Sequence, residues 1–130
     1  MSENFLEIDN VTFAASDKNK VSNVSLNIEN EGDVICLLGP SGIGKTTILR
    51  TIAGLEKVQS GKISLKKKII SSKDIHIEPE KRNISLSFQD NCLFPHYDVI
   101  QNIEFGAARN KKNKKDLSVS EVVKFLNLEH

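Results

Sequence analysis

A surplus of charge of either sign is the first thing this 130-residue sequence lacks. Its 18 lysines and arginines stand against 17 aspartates and glutamates, a formal net charge of +1. A chain so balanced has no overall field with which to gather nucleic acid or an anionic membrane surface. Long apolar runs are also missing, and the longest fall far short of the roughly 20 residues that span a bilayer. The N-terminus, MSENFLEID, is acidic and lacks the basic-then-apolar order of a secretion signal. Only two cysteines occur, Cys36 after an isoleucine and Cys92 before a leucine. Their separation and neighbours predict two buried free thiols in a reducing compartment, not a disulfide. With 38% hydrophobic and 27% charged residues, the expectation is a single cytoplasmic domain.

What is present is a regular alternation of pattern. FLEIDNVTF (5–13) alternates loosely as a strand, and VSNVSLNI (21–28) alternates better, with Val24, Leu26 and Ile28 on one face. ENEGD is a turn. VICLL (34–38) is a continuous apolar run, expected to be a strand buried on both faces. Ile48, Leu49, Ile52 and Leu55 then recur at helical spacing, with Gly54 closing the helix. A turn is expected at Gln59–Ser60–Gly61, short strands at KISL and KKII, a polar connection over 71–83, and a further strand at ISLSF (84–88). Asp98 with Gln101 forms a capping pair for a helix through VIQNIEFGAA. RNKKNKK is a solvated basic hinge. Ser118 with Glu121 caps a last helix whose apolar stripe is Val119, Val122, Val123 and Leu126.

Between VICLL and that first helix lies GPSGIGKTT, comprising Gly39, Pro40, Ser41, Gly42, Ile43, Gly44, Lys45, Thr46 and Thr47. Gly39, Gly44, Lys45 and Thr46 satisfy G-x-x-x-x-G-K-[ST], the phosphate-binding loop. Glycines let backbone N–H groups turn inward and approach phosphate oxygens closely. The helix starting near Lys45 points its free amides and positive dipole end at the same place. Lys45 is expected to reach the β- and γ-phosphates of ATP, and the Thr46 hydroxyl to ligate Mg²⁺. The order of elements predicts an α/β fold: a P-loop NTPase core with an antiparallel β flank and the start of a helical subdomain, incomplete.

Two longer stretches, VSLNIENEGDVICLLGPSGIGKTTILRTIAGLEKVQSGKISL and PEKRNISLSFQDNCLFPHYDVIQNIEFG, resemble the N-terminal half of an ABC-transporter ATPase subunit. They are most similar to the branch that serves ferric-iron, polyamine and related solute importers. The resemblance implies that residues 1–97 hold the β flank, phosphate loop and glutamine loop, and that 98–130 begin the helical subdomain. It implies that Phe13 stacks on adenine, although a phenylalanine in a strand serves equally as core. It implies that Gln89 is the glutamine-loop residue, touching Mg²⁺ and the attacking water, against the alternative of an ordinary exposed loop glutamine. Phe94, Pro95, His96 and Tyr97 fall where such subunits meet a transmembrane permease subunit. An apolar, aromatic loop tip suits an interface anchor, or packing of the loop onto its own helix. The family also implies a second ATPase subunit as homodimer partner, no nucleic acid, and a location on the cytoplasmic face of the inner membrane.

Departures from the family pattern limit what the chain is expected to do. Lysines at 66–68 replace a glycine-containing turn. His76, His96 and His130 show no metal-ligand spacing. No apolar strand ends in the Asp-Glu pair that would hold Mg²⁺ and activate water, and LSVSE (117–121) lacks both glycines of the family's LSGGQ signature. The expectation is ATP and Mg²⁺ binding without hydrolysis by the chain alone. The alternative is a non-catalytic nucleotide- or partner-binding module derived from such a subunit.

Overall fold

The computed structural model describes residues 4–14, 20–88, 92–109 and 118–127. The chain forms two compact units, Met1–Ser87 and Phe88–His130.

The first unit is built on a four-stranded sheet of β1 (Leu6–Ala14), β2 (Lys20–Ile28), β3 (Ser60–Leu65) and β4 (Lys68–Ser72), in the order β2-β1-β3-β4 with every ladder antiparallel. The loose alternation of the first strand has a structural cause. Leu6 and Ile8 face the core, and so do Val11 and Phe13, three residues later instead of two. The phase slips at Asn10, whose φ is +49°, where the register on both neighbouring strands is broken. This is a bulge, and it returns the next apolar residues to the inner face. Ile8, Val11, Phe13 and Ile63 are at most 1% exposed. Each such side chain contributes about 1.5–3 kcal/mol of burial.

Against this sheet packs helix α1 (Lys45–Ala53), with Ile48, Thr51 and Ala53 buried. Leu49 and Leu55, expected on the apolar stripe, are about 44% and 42% exposed. Gly54 ends the helix in a left-handed conformation, φ +92°, its N–H bonding to the carbonyls of Arg50 and Thr51, as the sequence leads one to expect. Gln59–Ser60–Gly61 is not a turn: β3 starts at Ser60, and Gly61 sits opposite the bulge.

The lysine-rich hairpin does close. Leu65 pairs with Lys68, leaving a two-residue loop in which Lys66 and Lys67 have φ of +47° and +68°. Those signs define a type I′ turn, which favours Asn-Gly and is strained for lysine. Lys66 is held there by Glu31 at 2.9 Å and lies 5.0 Å from the centroid of the Phe5 ring. Lys67→Gly is therefore expected to stabilise the first unit by about 0.5–1 kcal/mol, a rise of a few degrees in thermal melting. An unchanged or lower melting temperature would show that the lysine backbone is not strained.

Two expected strands are absent as ladders. Residues 34–38 and 84–88 join no sheet among the described residues. Val34 is 95% exposed and Leu38 87%, and in the run read as buried on both faces only Leu37 is partly buried, against the core. A both-face-buried strand needs flanking strands and covering helices, and no described segment supplies them. The same fact corrects the thiol expectation: Cys36 lies within this run and Cys92 in a loop, and both are exposed.

The second unit contains α2 (Val99–Arg109) and α3 (Val119–Phe125). Both expected caps form. The N–H of Gln101 donates to Asp98 Oδ1 at 2.7 Å, and the N–H of Asp98 donates to Gln101 Oε1 at 2.9 Å. The N–H of Glu121 donates to Ser118 Oγ and the N–H of Ser118 to Glu121 Oε2. Hydrogen bonds from the Ser118 backbone and hydroxyl pull the Glu121 carboxyl below its usual range. The stripe of α3 is half-buried at Val119, Val122 and Val123 and exposed at Leu126. Of the basic hinge expected over 109–115, Arg109 ends α2 and the rest lies outside the described residues.

Candidate phosphate-binding site

Gly44 occupies the N-cap of α1 with φ +106°, and no side chain caps the helix. No acidic residue stands in the first turn. The opening amides of the helix are thus left to a ligand, and no acidic side chain in its first turn repels an anion. Upstream, Gly39 and Gly42 have φ of +153° and +80°. Positive φ at Gly42 and Gly44, either side of Ile43, suits a loop whose successive N–H groups turn to one concave side.

Lys45 folds back over the loop. Its ammonium donates to the carbonyls of Gly39 and Pro40, each at 2.7 Å. An ammonium has three donors, so two hold the loop and one remains for a ligand oxygen. The Thr46 side chain is exposed, while Thr47 turns its carbonyl to Thr51 Oγ1 at 2.7 Å. These groups fit a polyphosphate: helix-start amides that no side chain caps, a cation that also fixes the loop, and an exposed hydroxyl beside the helix start. Mg²⁺ would take the Thr46 hydroxyl and otherwise phosphate and water oxygens, because no group of three acidic, histidine or cysteine side chains gathers among the described residues.

Phe13 is placed otherwise than expected. It is 1% exposed and belongs to the central cluster with Ile8, Val11 and Ile63. Neither face of its ring is open to a base, so the bulge that keeps it in register with the core works against an adenine platform. Gln89 lies outside the described residues.

Sequence reading overlooked Arg82. It is 2% exposed. Nε donates to the Ile77 carbonyl at 2.6 Å; Nη1 donates to the carbonyls of Thr51 at 3.0 Å and Ile52 at 2.9 Å; Nη2 donates to Ser71 Oγ at 2.7 Å and lies 3.3 Å from His76 Nδ1. Burial pulls the guanidinium below its usual value, and the Glu78 carboxylate opposes that. In PEKRN it looked like one more charge in a polar connection.

In the second unit, Phe94, Pro95, His96 and Tyr97 form an exposed loop. The Phe94 ring lies 5.2 Å from that of Tyr97 and 4.6 Å from that of Phe105, and His96 stands edge-on to Tyr97 at 4.5 Å. Asn102, also missed, shapes the loop. Its Oδ1 accepts from the Phe94 N–H at 2.8 Å, and its Nδ2 donates to the carbonyls of Phe94, Tyr97 and Asp98. Beside Phe94 and Tyr97, the side chains of Leu93, Pro95, Val99 and Ile103 line an apolar cavity of about 470 Å³. The only clue in the sequence was an asparagine in the first turn of a capped helix, and it carries no sign of what the side chain holds.

A phosphate loop that opens a helix beside an antiparallel flank defines a nucleotide-binding cassette. The chain belongs to the ABC transporter family, whose model matches residues 21–130. Spermidine/putrescine import ATP-binding protein PotA of Mesoplasma florum is 46% identical over 95% of this chain and 34% of its own length. Fe(3+) ions import ATP-binding protein FbpC of Fusobacterium nucleatum is 41% identical over 95% of this chain and 32% of its own. The chain thus spans about a third of the length of these curated relatives. Among solved structures, the dimeric post-hydrolysis state of the ATP-binding cassette MJ0796 bound to ADP and Pi superposes with a TM-score of 0.69 at 26% identity, over 96% of this chain and 58% of that one.

Proposed function

We propose that this chain is the ATP-holding portion of an importer's ABC ATPase subunit, and that it grips MgATP through residues 39–47 without hydrolysing it unaided. The observation that carries this is the loop itself: Lys45 closed on the carbonyls of Gly39 and Pro40 at the uncapped start of α1. The amides take the phosphate oxygens, Lys45 neutralises the distal phosphates, and Thr46 joins the metal's ligands. Hydrolysis also needs a carboxylate to complete the metal site and a group to orient water. The 130 residues contain no apolar strand ending in an acidic pair, and Gln89 alone would be left to position water.

The aromatic loop at 94–97 and its cavity suit a permease subunit's apolar segment, and a second ATPase subunit would complete the dimer. Both would sit on the cytoplasmic face of the membrane, and no helix of the described residues is long and apolar enough to cross it. Relatives named for polyamine and for ferric-iron import match equal shares of the chain. That favours a part which energises transport and leaves cargo choice to other subunits.

Calorimetric titration with ATP, with and without Mg²⁺, alongside a phosphate-release assay, tests this reading. Saturable binding that Mg²⁺ strengthens, with release at buffer background, is the expected result. Release that disappears in Lys45→Ala would overturn the non-hydrolysing half of the proposal. Absence of any binding would overturn all of it.

A further inference from the structure

We propose that Arg82 is a positioning residue for the nucleotide site, acting by clamping the far end of the helix whose near end forms the phosphate cradle. The proposal rests on the reading of residues 39–47 as that site.

A guanidinium has five N–H donors. At Arg82 four have acceptors within the first unit and the fifth lies against His76 Nδ1, the partners coming from three separate places: the last turn of α1, strand β4 through Ser71, and the segment that carries His76 and Ile77. Ile52 presents a carbonyl that the helix end leaves unpaired, and Thr51 one that takes only the N–H of Gly54, so the arginine supplies what the C-terminus lacks. Its positive charge also meets the negative end of the helix dipole.

The backbone makes room for this. A Cβ at Gly54 would collide with Nε, Cζ and Cδ of Arg82, so the glycine that ends α1 also lets the guanidinium approach. An apolar side chain would fill the space at lower desolvation cost. A cation bonded there instead fixes direction, since four directed bonds to three segments leave the helix end one orientation.

α1 is nine residues long, a rod of roughly 14 Å. Its buried face is fixed by Ile48, Thr51 and Ala53, a contact that permits sliding and rotation. Arg82 removes that freedom at one end. The amides at the other end must hold phosphate oxygens to within a few tenths of an ångström. Pivoting of the helix therefore costs phosphate affinity before it costs the fold.

The test compares wild type with Arg82→Lys, in which a single ammonium keeps the charge but cannot reach all these partners. MgATP and AMP affinities are measured by calorimetry well below the melting transition, with hydrogen exchange in nucleotide-free protein of the Ile48 amide, which donates to the Gly44 carbonyl in the first turn of the helix. We expect MgATP to bind at least about 10-fold more weakly, AMP to change less than about 3-fold, and that amide to exchange faster. Methylguanidinium added to Arg82→Ala should restore part of the MgATP affinity. A purely structural defect would lower both ligands alike through the folded fraction. Equal losses for MgATP and AMP, or unchanged affinity together with unchanged exchange, would overturn the proposal. If Arg82→Ala does not fold, the lysine variant alone decides. If wild type binds no MgATP, the nucleotide reading fails, and the exchange comparison still decides whether Arg82 holds the helix start.

Discussion

Gly61→Ala is expected to cost the first unit about 3–4 kcal/mol in urea denaturation, against about 1 kcal/mol for Gly32→Ala. Both glycines have left-handed backbones, φ +80° and +98°. They differ in what surrounds them. A Cβ at Gly32 meets nothing within 4 Å, whereas at Gly61 it runs into the backbone of Asp9 and Asn10. Those atoms belong to the central strand at its bulge, flanked by Ile8 and Val11, which are 1% and 0% exposed. They cannot yield without shifting the best-packed residues of the unit. The comparison separates conformational strain, common to both sites, from collision, present at one. A domain holds only about 5–15 kcal/mol in total, so the alanine at 61 should leave a much weakened transition. Equal losses at the two positions would show that β1 and β3 are not packed this closely.

That bulge also shows what was legible in the sequence. A strand at 5–13 could be read, because apolar residues recur there at short spacing. The slip in its phase was visible only as imperfect alternation, and no local signal says that a slip at Asn10 turns Phe13 inward. The family pattern pointed the same residue outward, to adenine. Caps were read correctly at Asp98–Gln101 and Ser118–Glu121 because a capping box is closed within four residues. The loop at 39–47 could be proposed as a phosphate site for the same reason, since its pattern lies in one nine-residue stretch.

Readings that depended on distant partners fared worse. VICLL has the composition of a buried strand, but burial belongs to the neighbours, and Val34 and Leu38 are left almost fully exposed. Arg82 and Asn102 were invisible because their acceptors are mostly main-chain carbonyls, which every residue has. Nothing in PEKRN says that Thr51 and Ile52, some 30 residues earlier, end a helix within reach. Side chains that serve as struts leave little local pattern, whereas side chains that serve a ligand often leave a motif.

Lys45→Ala is expected to weaken MgATP binding by at least about 30-fold, with a loss graded by phosphate number: ATP most, ADP less, AMP little. The lysine acts twice. Its two 2.7 Å bonds to Gly39 and Pro40 hold the loop closed across six residues. Its remaining donor and its charge serve the distal phosphates. A charge-assisted hydrogen bond contributes about 1.5–3 kcal/mol, which converts to roughly 10- to 150-fold in affinity at 1.4 kcal/mol per decade. Loss of the closed loop adds to this for any ligand that uses the amides. Lys45→Arg should recover little, because a planar fork cannot reproduce an ammonium set against two carbonyls only one residue apart. The gradation is the discriminating feature, and calorimetry on the three nucleotides reads it. If alanine lowered all three affinities by one factor, Lys45 would be a strut for the loop and nothing more. The phosphate contact would then have to come from the helix amides alone.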